Sequence, residues 1–179
     1  TTPEIMSWMN NEYGKITGDT SGAFITGKPL TDGGSEGRGT ATAQGGFYVF
    51  EKLQNKLGLP EKCSVAIQGF GNAGQYAAFL WQQAGHKIVA VSDSSSVIFN
   101  ENGLDIKKLM VHKNETKQVS GFEGSKIITT EELFSLECDV LIPAALENQL
   151  TNENAGSVKA KVVLELANGP TTPDADDIL

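Results

Sequence analysis

Apolar positions along the chain switch repeatedly between helical and strand spacing. Ile5, Met6, Trp8, Met9 and Tyr13 recur at intervals of three and four, which predicts an amphipathic helix opening at Thr2 and Pro3, a capping residue followed by proline at the first helical position. The stretch from Gly14 to Gly39 has no period and is rich in Gly, Thr and Ser, as a long functional or disordered loop would be. Phe47, Phe50, Leu53 and Leu57 then mark one face of a second helix, stopped at Gly58. Cys63 to Gln68 is a short apolar run that fits a buried strand. It is followed by a helix with Tyr76, Phe79 and Leu80 on its core-facing stripe, and by a second strand, Lys87 to Asp93. Further along, the pattern predicts a strand at Val97 to Phe99, a turn at Asn102-Gly103 and a charged helix from Leu104 to Glu115. After these come a strand within "SKII", a helix capped at Thr130, the strand Val140 to Pro143 and another in "AKVVLELANG". A last helix start at Thr172 and Pro173 repeats the signal used at the N-terminal end.

Helices and strands alternate throughout, so the fold class is α/β, a Rossmann-like doubly wound, mostly parallel sheet with helices on both faces. No internal repeat is visible. Residues 1–39 read as a lead-in helix and glycine-rich loop, and residues 40–179 as a dinucleotide-binding domain.

Composition narrows the function. The 14 Lys and Arg are outnumbered by 22 Asp and Glu, for a net charge of −8, so there is no basic surface for a nucleic acid or an anionic membrane. No apolar run approaches the roughly 20 residues of a membrane span, and no signal sequence opens the chain. Cys63 and Cys138, the only cysteines, lie in or beside apolar runs. They read as buried free thiols of a reducing compartment; a disulfide or metal pair is the alternative, without C-x-x-C spacing to support it. His86, at a helix-to-strand turn, and His112, on a charged helix, read as surface residues rather than catalytic ones. No metal site is expected.

The chemistry concentrates between the first two strands of the domain. In "QGFGNAGQ", Gly69, Gly71 and Gly74 fit G-x-G-x-x-G within a strand–turn–helix–strand unit. Gly69 allows the sharp turn, Gly71 lets a pyrophosphate approach, and Gly74 lets helix and strand pack closely. Free amides near Asn72 and Ala73 then face the anion at the helix start. Asp93 closes the second strand about 20 residues on, where a carboxylate binds ribose hydroxyls and repels a 2′-phosphate. This favours NAD, with NADP not excluded. A glycine turn that only packs, and an acid that is only a solvated strand end, are the plainer alternatives.

The segments "VAIQGFGNAGQYAA", "VAVSDSS", "CDVLIPAALENQLT", "ANGPTTPDAD" and "ITGKPLTDGGSEGRGTATAQGG" together resemble the coenzyme domain of glutamate dehydrogenases, in that family's order and over nearly the whole chain. The resemblance implies oxidative deamination of L-glutamate to 2-oxoglutarate and ammonia, with a hydride passed to NAD(P). It places Phe70, Asn72 and Ala73 at the pyrophosphate and Asp93 and Ser94 at the adenosine ribose. Ala144 and Ala145 would line the adenine with Gln149 nearby, Asn168 would reach the nicotinamide ribose and the substrate side, and Thr42 the carboxamide. Arg38 would hold the substrate carboxylate, for which a guanidinium is suited. Without the resemblance, Arg38 and Thr42 are polar loop residues.

Two departures stand out. Ala43 replaces a glycine of the family's R-x-x-A-T-G-x-G, and Leu166 a glycine of its E-G-A-N-G-P; the second puts local shape beside the nicotinamide in question. The family's proton-transfer lysine and aspartate belong to a separate substrate domain, and Lys15, Lys28 and Asp32 match neither. No catalytic residue is therefore assigned to this chain, which is expected to be an excised piece that binds coenzyme without turning over glutamate. By the same resemblance the full-length protein is a homohexamer of the cytoplasm, or of the mitochondrial matrix in a eukaryote. A stand-alone NAD-binding module is the alternative outside enzymes; a leucine, phenylalanine or valine dehydrogenase is the alternative within them.

Overall fold

The structure, a computed structural model, describes residues 2–179, which divide into two compact units, one up to Ala41 and one from Thr42 to Leu179. In the first unit, helix α1 spans Pro3–Thr17, capped by the Thr2 hydroxyl and closed by Gly18 in the left-handed region. Its inward side carries Ser7, which is buried, whereas Trp8 and Met9 are exposed. The glycine-rich stretch after it is ordered by side chains rather than by regular structure. Tyr13 stacks on Phe24 with ring centroids 3.8 Å apart, and Ser7 hydrogen-bonds Asp32 of a 3-10 turn at Leu30–Asp32. Lys28 is buried and donates to the carbonyls of Gly22, at 2.7 Å, and Ile25.

The second unit opens with α2 (Ala41–Leu53), followed by β1 (Ser64–Gln68), α3 (Asn72–Gln83), β2 (Lys87–Ser92), β3 (Val97–Phe99) and α4 (Ile106–Thr116). The remaining elements are β4 (Lys126–Ile128), α5 (Thr130–Phe134), β5 (Val140–Pro143), β6 (Val162–Val163) and α6 (Pro173–Asp176). Among the described residues the strands form one sheet in the order β4-β3-β2-β1-β5-β6. β2, β1, β5 and β6 are parallel neighbours, and β3 and β4 extend the β2 edge by antiparallel pairing. The sheet is thus mostly parallel, and the chain reverses its direction of travel between β1 and β5, the topological switch point where open α/β sheets bind ligands.

Side chains alternate across the central strands, as a sheet covered on both faces requires. Val65, Ile67, Val140 and Ile142 join one buried cluster with residues of α2, α3 and α4; Ala66 and Leu141 join another with Leu133 and Phe134 of α5. Helix α3 keeps part of the expected stripe, since Phe79 and Leu80 pack against the core. Its buried residues are Gly74, Ala77, Ala78 and Trp81, while Tyr76 is exposed and Phe79 and Leu80 are half-buried. Close packing at Gly74 brings this helix so near the sheet that small residues, not large ones, fit beneath it. Trp81 fills the space beyond, edge-on to Phe47 at 4.8 Å between centroids. The helix α5 cap is Thr129, one residue before the expected position, in a reciprocal capping box with Glu132.

Both cysteines are buried and free. His86 is not a surface residue: it is 6% exposed, packs edge-on to Phe50, and its Nδ1 accepts the Cys63 amide at 3.0 Å. Burial lowers its pKa, against a smaller opposing effect of Glu51.

Candidate functional site

The C-terminal ends of β1, β2 and β5 open onto a cleft of about 850 Å³. Gly69 leaves β1 with φ +98°, which a side chain rarely adopts, and a Cβ there would come within 2.8 Å of the Ala145 Cβ. Gly74 has no room at all, because a Cβ would overlap the Gly69 carbonyl. Gly71 differs: its φ is −86° and a Cβ would meet nothing within 4 Å. The fold therefore requires the first and third glycines, while the space in front of the second is open cleft.

Gly71 is the N-cap of α3 and no side chain caps the helix. The amides of its first turn are left to an external acceptor, with the helix dipole behind them. Two bonds fix the turn. The Gly69 amide donates to Ser92 Oγ at 3.0 Å, and Gln75 Nε2 donates to the Phe70 carbonyl at 2.9 Å. Phe70 itself is 1% exposed, part of the core, so only its backbone faces the cleft. Ala73 is half-buried and Gly74 buried in the first turn of α3.

The cleft brings together Gly69, Phe70, Gly71, Asn72, Asp93, Ser94, Ala144, Ala145 and Gln149 of the sequence-derived set. The Asp93 carboxylate is turned inward. Oδ1 accepts from the Ser95 amide at 2.8 Å, Ser95 Oγ at 2.6 Å and the Ser96 amide at 3.2 Å. Oδ2 accepts from the Val119 amide at 2.8 Å and from Lys113 Nζ. Burial pushes this carboxyl upward, but the bonds from Lys113, Ser95 and Val119 outweigh it and hold the group well below the usual carboxylate range.

Thr42 and Asn168 lie outside the lining of this cleft. Thr42 is exposed in the first turn of α2. Asn168 is exposed in the turn after β6, and that turn is tied to the "ENQ" loop: the amides of Asn148 and Gln149 donate to Gly169 O at 3.0 Å and Pro170 O at 2.7 Å. The extra side chain of Leu166 is accommodated by α2, since it occupies the space a Cβ on Gly46 would need. Arg38 belongs to the first unit, exposed, with Nε 3.4 Å from where a Cβ on Gly27 would stand.

Four residues of the site escaped the sequence reading. Ser92 and Gln75 hold the turn, and Lys113 holds Asp93. Gln68, 6% exposed at the end of β1, donates to Gln149 Oε1 at 2.5 Å and leaves its own Oε1 without a partner in the cleft wall. The one signal for Gln68 was an amide ending an otherwise apolar strand. An orphaned acceptor, uncapped helix amides and an open Gly71 together suit a ligand that carries both a phosphate and hydrogen-bonding base or sugar groups.

Among the described residues no group of three or more His, Cys, Asp or Glu could hold a metal ion, and no helix is long and apolar enough to cross a membrane. The chain is 45% identical, over its full length, to an NADP-specific glutamate dehydrogenase of Synechocystis, and 44% identical to the catabolic NAD-specific glutamate dehydrogenase RocG of Bacillus subtilis. It spans 44% and 42% of those two proteins. Among solved structures, 98% of it superposes on 42% of a subunit of the hetero-hexameric glutamate dehydrogenase of Thermus thermophilus, leucine-bound form, with a TM-score of 0.89 and 32% identity. The enzyme of Peptoniphilus asaccharolyticus gives 0.75 and 35% over the whole chain. Residues 33–179 match the family described as Glutamate/Leucine/Phenylalanine/Valine dehydrogenase, and to that family the chain belongs.

Proposed function

We propose that this chain is the coenzyme-binding part of a glutamate dehydrogenase and binds NAD(P) in the cleft between β1, β2 and β5. The observation that carries this is the glycine turn, closed at Gly69 and Gly74 and open at Gly71, ahead of an uncapped helix. In this reading the first-turn amides around Asn72 and Ala73 neutralise the pyrophosphate, and the missing Cβ of Gly71 lets it approach. Ser94 and the backbone beside Asp93 form the adenosine-ribose wall, and Ala144, Ala145 and Gln149 the adenine side. Asn168 and Thr42 serve the nicotinamide end, and Arg38 pairs with the substrate carboxylate.

When bound, the coenzyme supplies the acceptor for the hydride leaving the α-carbon of glutamate. This chain's residues bind, orient and dehydrate that acceptor. The proton transfers fall to residues of the substrate domain, so the 179-residue chain holds coenzyme without turnover. The identity to two glutamate enzymes supports this substrate over leucine, phenylalanine or valine. The hexameric relative supports a hexamer for the full-length protein.

Calorimetric titration of the purified chain with NADH tests the reading. Wild type binds; Gly71→Val weakens binding by about 30-fold or more while the chain stays folded, losing no more than about 1 kcal/mol as a poorer N-cap, because its side chain projects into the open cleft. Unchanged affinity in Gly71→Val overturns the placement, and glutamate-dependent NADH production by the chain overturns the absence of turnover.

A further inference from the structure

The sequence holds two Asn-Gly pairs, Asn102-Gly103 and Asn168-Gly169, and the fold treats them differently. A glycine after asparagine leaves the following backbone nitrogen unshielded, so that nitrogen can reach the side-chain amide carbon. At Asn102 the fold hinders this attack. The Gly103 amide donates to the Asn100 carbonyl at 3.0 Å, and the Asn102 amide donates to Asn100 Oδ1 at 2.8 Å. Gly103 is also packed, since a Cβ there would stand 2.8 Å from Lys87 Cγ. At Asn168 these restraints are missing. Among the described residues the Gly169 amide donates to no backbone carbonyl. Both residues are exposed, and a Cβ on Gly169 would meet nothing within 4 Å.

We propose that Asn168-Gly169 is a self-modification site, at which the turn after β6 converts spontaneously to isoaspartate or aspartate and loosens the cleft wall. Water is the co-reactant. The Gly169 nitrogen loses its proton to solvent base and attacks Asn168 Cγ; the Cγ–Nδ2 bond breaks and ammonia leaves. Water then opens the succinimide at either carbonyl, and nothing is oxidised or reduced. Isoaspartate inserts a methylene into the main chain at a point pinned on both sides. Before it, the amides of Leu166 and Ala167 donate to Pro143 O at 2.9 and 3.0 Å; after it, Gly169 O and Pro170 O accept from Asn148 and Gln149. The lengthened chain cannot keep both sets unstrained. Gln149 lines the cleft and accepts from Gln68, so a change at the turn reaches the cleft wall. The effect on coenzyme rests on the reading above; the modification does not.

Ageing the full chain in mildly alkaline buffer, folded and in guanidinium chloride, tests this. Peptide mass mapping follows the one-dalton gain at each asparagine, and enzymatic methylation counts isoaspartate. Folding is expected to slow Asn102 by about five-fold or more through its hydrogen bond, and Asn168 by less than about two-fold. Equal protection of the two sites, or stronger protection of Asn168, overturns the proposal, and this comparison needs no variant to fold. Gly169→Ala, whose methyl group shields the nitrogen, is expected to keep position 168 intact over the same period. Wild type converted at Asn168 is expected to bind NADH about ten-fold more weakly than fresh chain, while aged and fresh Gly169→Ala bind it equally. Unchanged NADH affinity after conversion overturns the link to the cleft wall. If fresh chain fails to bind NADH while Asn168 converts as expected, the coenzyme reading fails and the modification site stands.

Discussion

The turn after β1 and the wall at the end of β2 face each other across one cleft, yet they are built on opposite terms. The two glycines of the turn that the fold requires each have a cause nearby in the chain. Gly74 is fixed by the carbonyl of Gly69, and Gly69 by its own positive φ. Asp93 has its decisive partners far off: Lys113 lies 20 residues on, in α4, and Val119 lies 26 residues on. The turn is a backbone device that needs glycine at positions 69 and 74. The wall is a side-chain device whose charge depends on what folds against it. A residue type can therefore predict geometry at the first and mispredict electrostatics at the second.

The sharpest way to break this contrast is inside the turn. Gly74→Ala puts a methyl group into the Gly69 carbonyl, a backbone atom that cannot rotate away, and is expected to destabilise by about 3 kcal/mol or more. Gly71→Ala, into open space, is expected to lose no more than about 1 kcal/mol as a poorer N-cap. Denaturant unfolding with unchanged slope reads both. Near-equal losses would show that the glycines are not divided between fold and ligand.

At the wall, Asp93→Ala removes the acceptor shared by Lys113, Ser95, Ser96 and Val119. It is expected to lose about 2 to 3 kcal/mol, chiefly by leaving buried donors unpaired. The acid limb of the stability curve carries the same information. A carboxyl whose pKa is lowered by folding contributes stability fully above its unfolded value of 3.8. That stability is lost as pH falls through the lower folded value. Asp93→Ala should therefore flatten the wild-type loss below pH 3.8; an unaltered acid limb would show Asp93 to be solvated after all.

His86 extends the contrast to the core. Its Nδ1 accepts from the Cys63 amide, 23 residues back, and burial of the ring in the fold favours its neutral form and lowers its pKa. The stability this gives is present above 6.5 and is lost as pH falls toward the folded value. His86→Phe leaves the Cys63 amide unpaired, an expected loss of about 1 to 2 kcal/mol at neutral pH. It should also remove part of the wild-type decline in unfolding free energy between about pH 7 and 5. A variant that keeps the whole decline would place the titrating group elsewhere.

These cases show why some of the molecule was legible in its sequence. The strands at Val97–Phe99 and Val140–Pro143 and the β1–turn–α3–β2 unit follow from spacing and turn residues that act over a few positions. The antiparallel attachment of β3 and β4 is a pairing choice between segments and leaves no local trace. On α3, Phe79 and Leu80 pack against the core as expected, but Tyr76 is exposed, and the closeness set by Gly74 puts the small Ala77 and Ala78 on the fully buried face. The Gly14–Gly39 stretch looked irregular, and its order comes from Lys28, Asp32 and the Tyr13–Phe24 stack. Of the residues around the cleft, the turn and the Ala144–Ala145 edge were named from the sequence; Ser92 and Gln75, which hold the turn, and Lys113, which holds Asp93, were not.

The smallest expected effect tests a long-range pair in which backbone and side chain meet. Leu166 occupies the space left by the absent Cβ of Gly46, in the middle of α2. Alanine at position 46 gains about 1 kcal/mol of helix propensity but displaces the end of a flexible side chain, a strain of about the same size. Gly46→Ala alone should therefore change stability by less than about 1 kcal/mol. In a Leu166→Gly background the clash with the Leu166 side chain is gone, only the milder 3.3 Å approach to Leu164 is left, and the propensity gain remains, so the same substitution should stabilise by up to about 1 kcal/mol. The coupling is the difference between these two steps in a double-mutant cycle. A coupling near zero would mean that Leu166 turns away from α2 in solution. A clear positive coupling would mean that the departure at position 166 is absorbed by a glycine 120 residues earlier, with the Asn168 turn left in place.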